Sequence, residues 1–145
     1  MALEYLIKTW NAVTRMIELF GGLTLNGPLV MASGGGIQQL VQPLAYVSAT
    51  PVAWNVGLGA IAKVAITDAV NFSIAAPTGL LAGQLVYLTI ENTSGGAFGT
   101  GTWNAIFKTT GNVPAIATGN NRTFVFYYDG THLIEVSATA ADVPN

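Results

Sequence analysis

The sequence predicts a mainly β protein: an antiparallel β-sandwich or jelly-roll-like domain preceded by a short N-terminal α-helix. Three observations lead there. From residue 44 onward, short runs of Val, Ile, Thr, Phe and Tyr recur, each closed by Gly, Pro, Asn or Asp. No helix-length apolar period appears after residue 20. Residues 1–20 do carry such a period, and Gly21-Gly22 ends it.

Within residues 1–20 the apolar positions are Leu3, Leu6, Trp10, Val13, Ile17 and Phe20, spaced alternately by three and four. This is the seam of a heptad repeat. Glu4, Lys8, Arg15 and Glu18 lie off it, with Glu4 four residues before Lys8, the favourable order for a helical ion pair. A helix this short is marginal alone in water, so its seam must dock on something. It could pair with copies of itself, lie on a larger structure, or pack on its own β domain. Residues 21–43 read as a connector, with turn chemistry at Asn26-Gly27-Pro28 and a flexible Ser33-Gly34-Gly35-Gly36. The β domain then spans 44–145. Its candidate strands are Ala45–Ala49, Ala53–Val56, Ala60–Thr67, Asn71–Ala75, Gln84–Glu91, Thr102–Lys108, Arg122–Tyr128 and Thr131–Ser137.

The composition narrows the function classes. One hundred and forty-five residues fit one domain with a small appendage. Charged residues make up 8% of the chain, against about 25% in ordinary soluble domains. Much of the outer surface is therefore expected to be covered by copies of the chain or by a partner. The five basic residues are scattered and the net charge is -2, which argues against a nucleic-acid partner. Glu4, Lys8, Arg15 and Glu18 interrupt any apolar stretch, so neither a signal peptide nor a membrane-spanning helix is expected at the start. With no cysteine there is no thiolate metal site, disulfide or cysteine nucleophile. No cofactor is expected. Three Asn-x-Ser/Thr triplets, at Asn71, Asn92 and Asn121, read as chance in an Asn/Thr-rich chain.

The stretch YYDGTHLIEV, residues 127–136, is the one place where a catalytic reading could begin, because it holds the single histidine. Asp129-Gly130 between two β runs predicts a hairpin with a type I′ turn. Phe124, Phe126 and Tyr128 should share one face of the first strand, with Val125 and Tyr127 on the other. His132 has no nucleophile beside it: Asp129 belongs to the turn, and Glu135 falls on the opposite face. Asp68 with Glu91 is the one conceivable carboxylate pair in the domain, with nothing in its context to single it out. SGGAFGTGT, residues 94–102, lacks the Lys-Ser/Thr ending of a phosphate loop and reads as a flexible loop. No catalytic, cofactor or metal residue is assigned, and the chain is expected not to be an enzyme.

The last third carries a resemblance. Trp103-Asn104-Ala105, Phe107-Lys108, Arg122-Thr123, Phe126, Tyr128-Asp129-Gly130-Thr131 and Glu135-Val136-Ser137 follow a pattern similar to the end of small virion proteins of tailed bacteriophages. Residues 80–96, LLAGQLVYLTIENTSGG, resemble the strand that precedes it in those modules. Ile134 departs from the aromatic residue common there. The resemblance covers roughly residues 78–145 and implies a non-enzymatic, trimeric β domain displayed on a capsid or tail. It implies a capsid decoration or cement protein, or a short head fibre, docking on the major capsid protein. The alternative is a trimeric tail fibre or receptor-binding protein that meets a tail or baseplate protein and a host-surface glycan. In either case the chain would reside in the virion after assembly in the host cytoplasm.

Overall fold

A computed structural model describes residues 40–139 and 142–144. The expected helix with its seam, Leu3, Leu6, Trp10, Val13, Ile17 and Phe20, and most of the expected connector lie outside the described residues. What is described is mainly β. In chain order the elements are β1 (Val41–Leu44), a 3-10 turn (Val56–Leu58), β2 (Ile61–Ile66), β3 (Phe72–Ile74), β4 (Leu85–Asn92), β5 (Gly101–Trp103), β6 (Phe107–Lys108), β7 (Asn120–Tyr128), β8 (Leu133–Ala138) and β9 (Val143–Pro144).

The strands form two sheets. The larger runs β1-β2-β4-β7-β8-β6, with β9 beside the start of β7; the smaller is β3-β5. Strict alternation explains the larger sheet. Ala62, Val64 and Ile66 of β2, Val86, Leu88 and Ile90 of β4, and Phe124 and Phe126 of β7 point inward and are buried. Each such aliphatic or aromatic side chain contributes about 1.5–3 kcal/mol on burial. The smaller sheet joins the same core: Phe72 and Ile74 of β3 are buried, and Trp103 of β5 lies 5.1 Å from the rings of Phe107 and Phe124 and 5.4 Å from Phe126. Trp54 completes this layer from the loop, buried with its Nε1 donating to the Gly59 carbonyl at 3.2 Å.

Strand direction departs from the antiparallel expectation. β4/β7, β7/β8 and β7/β9 are antiparallel, whereas β1/β2, β2/β4, β3/β5 and β6/β8 are parallel. A parallel pair needs a connection of about a dozen residues or more, and residues 45–60 and 67–84 supply two such crossovers.

Three strand expectations also change. The run expected at Ala45–Ala49 is a turn, with Thr50 N donating to Val47 O at 3.0 Å and Ala49 at φ 59°. The strand lies at Val41–Leu44 instead, across the expected boundary of connector and domain. An edge strand tolerates Pro43 because only one side of it is paired. Ala53–Val56 gives one bridge, Asn55 with Thr78, and the start of a 3-10 turn, capped by the Asn55 side chain accepting from Gly57 N. Thr102–Lys108 breaks into β5 and β6, one in each sheet. The break is a turn at Asn104, whose Oδ1 accepts from Ile106 N at 3.1 Å and whose carbonyl accepts from Phe107 N at 2.9 Å. Gly101 is not a flexible-loop glycine. A Cβ there would stand 2.5 Å from the Phe72 ring and 2.8 Å from Val113 Cβ, so the two segments meet only because the side chain is absent.

Candidate functional site

The outer face of the larger sheet is the feature of most functional interest. Register fixes its rows. Ile61, Tyr87 and Val125 stand side by side, as do Leu85, Tyr127 and Ile134, and Lys63, Thr89 and Thr123. Val41 and Pro43 continue the rows onto β1 beside Ile61 and Lys63. In a one-sided antiparallel sheet these outward positions would be polar. Here apolar side chains extend from β1 to β8, and Leu85, Tyr127 and Ile134 are 47%, 39% and 38% exposed. The polar groups on the face satisfy one another. Lys63 Nζ pairs with Glu91 Oε1 at 2.5 Å, and the Thr89 and Thr123 hydroxyls are 2.8 Å apart. A shallow groove of about 370 Å³ runs between β1 and that ion pair, lined by Val41, Pro43, Leu44, Lys63, Ala65 and Glu91.

The Asp129-Gly130 hairpin is present between β7 and β8, and it brings the turn residues together as a cap. In this turn only Gly130 has positive φ, at 103°, so the expected type I′ geometry is not adopted. The loop spans Asp129–His132 between the paired Tyr128 and Leu133. Asp129 Oδ1 accepts from Thr131 N at 2.7 Å and His132 N at 2.6 Å, while Asp129 N donates to His132 O at 3.1 Å. The carboxylate thus takes the place of its own backbone carbonyl, an Asx turn. His132 sits outside β8 with its Nδ1 3.8 Å from Asp129 Oδ2.

Two further carboxylates, Asp68 and Asp142, are engaged in separate contacts. Asp68 accepts from Tyr46 Oη at 2.6 Å and Val70 N at 3.0 Å. Asp142 accepts from Arg122 Nη2 at 3.1 Å and Ala117 N at 2.7 Å, and so ties β9 to the loop before β7. These contacts set the titration behaviour. The Tyr46 hydrogen bond, then that of Val70 N, holds the Asp68 carboxyl below its ordinary 3.8. Asp129 is likewise held down, first by His132 N and then by Thr131 N. Tyr46 is pushed up to about 12 by partial burial, then by its hydrogen bond to Asp68 and that group's charge.

Carboxyls with depressed folded-state pKa values stabilise the fold above their unfolded value, and that contribution is lost as pH falls through the folded value. The urea midpoint is therefore expected to hold at neutral pH and to decline below about pH 4. Asp129→Asn, whose Oδ1 can still accept both N–H groups, is expected to decline less steeply over that window. Urea titrations of the two chains at a series of acid pH values check this; parallel declines would show that Asp129 does not contribute. Tyr46 acts with the opposite sign: its contribution is complete below its unfolded value near 10 and is lost as pH rises through about 12.

Two features went unread in the sequence. One is the outer face, although β4 (LVYLTI) and β7 (FVFYY) carry apolar residues at both alternating positions, the signature of a strand covered on both sides. The other is Asn92. It is fully buried, and its amide makes four hydrogen bonds: Nδ2 to the Gly96 and Ile116 carbonyls, Oδ1 from Ser94 N and Oγ. As the first residue of an Asn-x-Ser triplet it is therefore occupied by the fold. No protein-family model, curated protein or solved structure matches the chain.

Proposed function

We propose that the chain is a non-enzymatic structural protein of a tailed-phage virion, a capsid decoration or cement protein or a short head fibre. The observation that carries this reading is the structural role of the residues that resemble such proteins. Trp103, Phe107 and Phe126 bind the two layers together by ring contacts. Asn104 turns the chain from one sheet to the other. Arg122 holds β9 through Asp142, and Asp129 caps the hairpin. The shared residues are thus those that build a rigid β module, as expected where the common property is a displayed scaffold and not a reaction. The sparse charge and the open apolar face support a surface that is covered on assembly. The mechanism is adhesive: contacts buried across neighbouring capsomers offset the pressure inside the shell.

Immuno-electron microscopy tests this, using an antibody raised against the chain and particles of a phage that encodes it. Label in a regular array over the head is the expected result. Label confined to tail tips would transfer the protein to the tail-fibre class, and unlabelled particles would overturn the virion assignment.

A further inference from the structure

We propose that the outer face of the larger sheet is where copies of this chain meet, so that the β domain itself carries self-association. The inference deepens the reading above by naming what covers the surface that is buried on assembly. Size is the first argument. The face crosses five strands, from β1 to β8, and seven residues of β4. At standard strand and residue spacings it measures roughly 19 Å by 20 Å, or about 400 Å² in projection. Side-chain relief adds to this, and the patch supplies about half or more of one partner's share of a standard interface, about 800 Å² of accessible surface.

Charge selects the occupant. Lys63 and Glu91 neutralise each other across β2 and β4, and Lys108 stands on β6 at the far edge of the face. A face that must meet its own copy cannot carry a central net charge, because each copy would repel the next. This one fulfils that condition without needing a partner of complementary sign. Its most exposed row is aromatic and aliphatic, through Leu85, Tyr127 and Ile134, with Ile61, Tyr87 and Val125 beside it, side chains of the kind found in the inner part of a homo-oligomer interface.

The test uses the full chain. Sedimentation equilibrium is expected to give a multiple of 15.1 kDa for the native sequence and 15.1 kDa for the double variant Leu85→Lys/Ile134→Lys. Both side chains are well exposed, so circular dichroism and a urea midpoint should show the variant folded. A second arm uses the absence of native cysteine. Leu85→Cys is expected to react with a maleimide on the order of tenfold more slowly than Thr102→Cys, with the difference vanishing on dilution as the assembled fraction falls. Thr102 is exposed on the smaller sheet. A native chain at 15.1 kDa would overturn the proposal, as would a folded double variant that keeps the multiple mass. Equal labelling of the two cysteines in an assembled chain would do the same. These outcomes are separable from those of particle labelling. A monomer that still decorates heads removes the face and leaves the virion assignment; a multimer dissolved by the lysines but absent from particles does the reverse.

Discussion

Asn92→Ala is expected to destabilise the domain by about 3 kcal/mol, since each buried polar group left without a partner costs about 1–3 kcal/mol. Asn92 closes the inner row of β4 opposite Ile66, with no exposed surface. Its amide reaches two segments at once: residues 94–96 through Ser94 and Gly96, and the approach to β7 through Ile116. Its backbone carbonyl also accepts from Gly119 N at 2.9 Å. Alanine leaves the Ile116 carbonyl and Ser94 N without those partners, whereas Gly96 O keeps the Ser94 and Thr118 hydroxyls. Asn92→Asp is expected to be worse, because it removes both donors to the Gly96 and Ile116 carbonyls and places a charge at a position with no exposed surface. Urea unfolding reads the effect as a midpoint lowered by roughly 1–3 M. A shift below about 0.5 kcal/mol, the range of an ordinary surface change, would show that the two segments hold without the amide.

Phe126→Ala is expected to cost about 3–5 kcal/mol, the range for emptying a fully buried aromatic position. Phe126 has no exposed surface and touches the rings of Trp103, Phe107 and Phe124, so it binds β7 to β6 and to the smaller sheet. A domain of this size has a total stability of about 5–15 kcal/mol, and the midpoint of thermal unfolding should fall by roughly 15–30 °C. The near-ultraviolet circular dichroism of Trp103 should weaken as well, since the ring loses one of its three aromatic neighbours. Phe126→Leu, which keeps most of the volume, should lose less than half as much. Equal losses for both variants would mean that ring geometry, and not filled volume, is what the position supplies.

The two predictions rest on residues that differ in how well the sequence advertised them. Phe126 was legible as a strand position: the backbone's period of two puts Phe124, Phe126 and Tyr128 on one face of the run FVFYY. Runs rich in β-forming residues, closed by Gly, Pro, Asn or Asp, located β2, β3, β4, β7 and β8 to within a few residues. The β7/β8 hairpin was legible from Asp129-Gly130, although its turn type was not, because the Asp129 carboxylate competes with its own carbonyl for the His132 N–H. Asn92 was illegible because its partners, Gly96 and Ile116, are brought to it by loops whose paths no local pattern encodes. Strand direction was hidden for a related reason. It depends on how residues 45–60 and 67–84 cross the sheet, and Pro43 reads locally as the end of the connector. The outer face needed a further step, a judgement of which of two apolar sides of β4 would find cover within the chain.

The order of strands in the larger sheet bears on how the chain reaches its folded state during synthesis. Among the described pairings of that sheet, β7/β8 alone joins sequence neighbours by a tight turn; the others wait for distant segments. β7 is the hub, since it pairs with β4, β8 and β9, yet it begins only at Asn120. While the ribosome is still making it, β4 has an open edge and Val86, Leu88 and Ile90 lack the cover of Phe124 and Phe126. An apolar strand with an unpaired edge is a template for aggregation. Nascent chains that stop before residue 120 are therefore the hazardous products of this gene. β7, made after β4 and paired with it along Leu85–Glu91, is the strand that closes that edge.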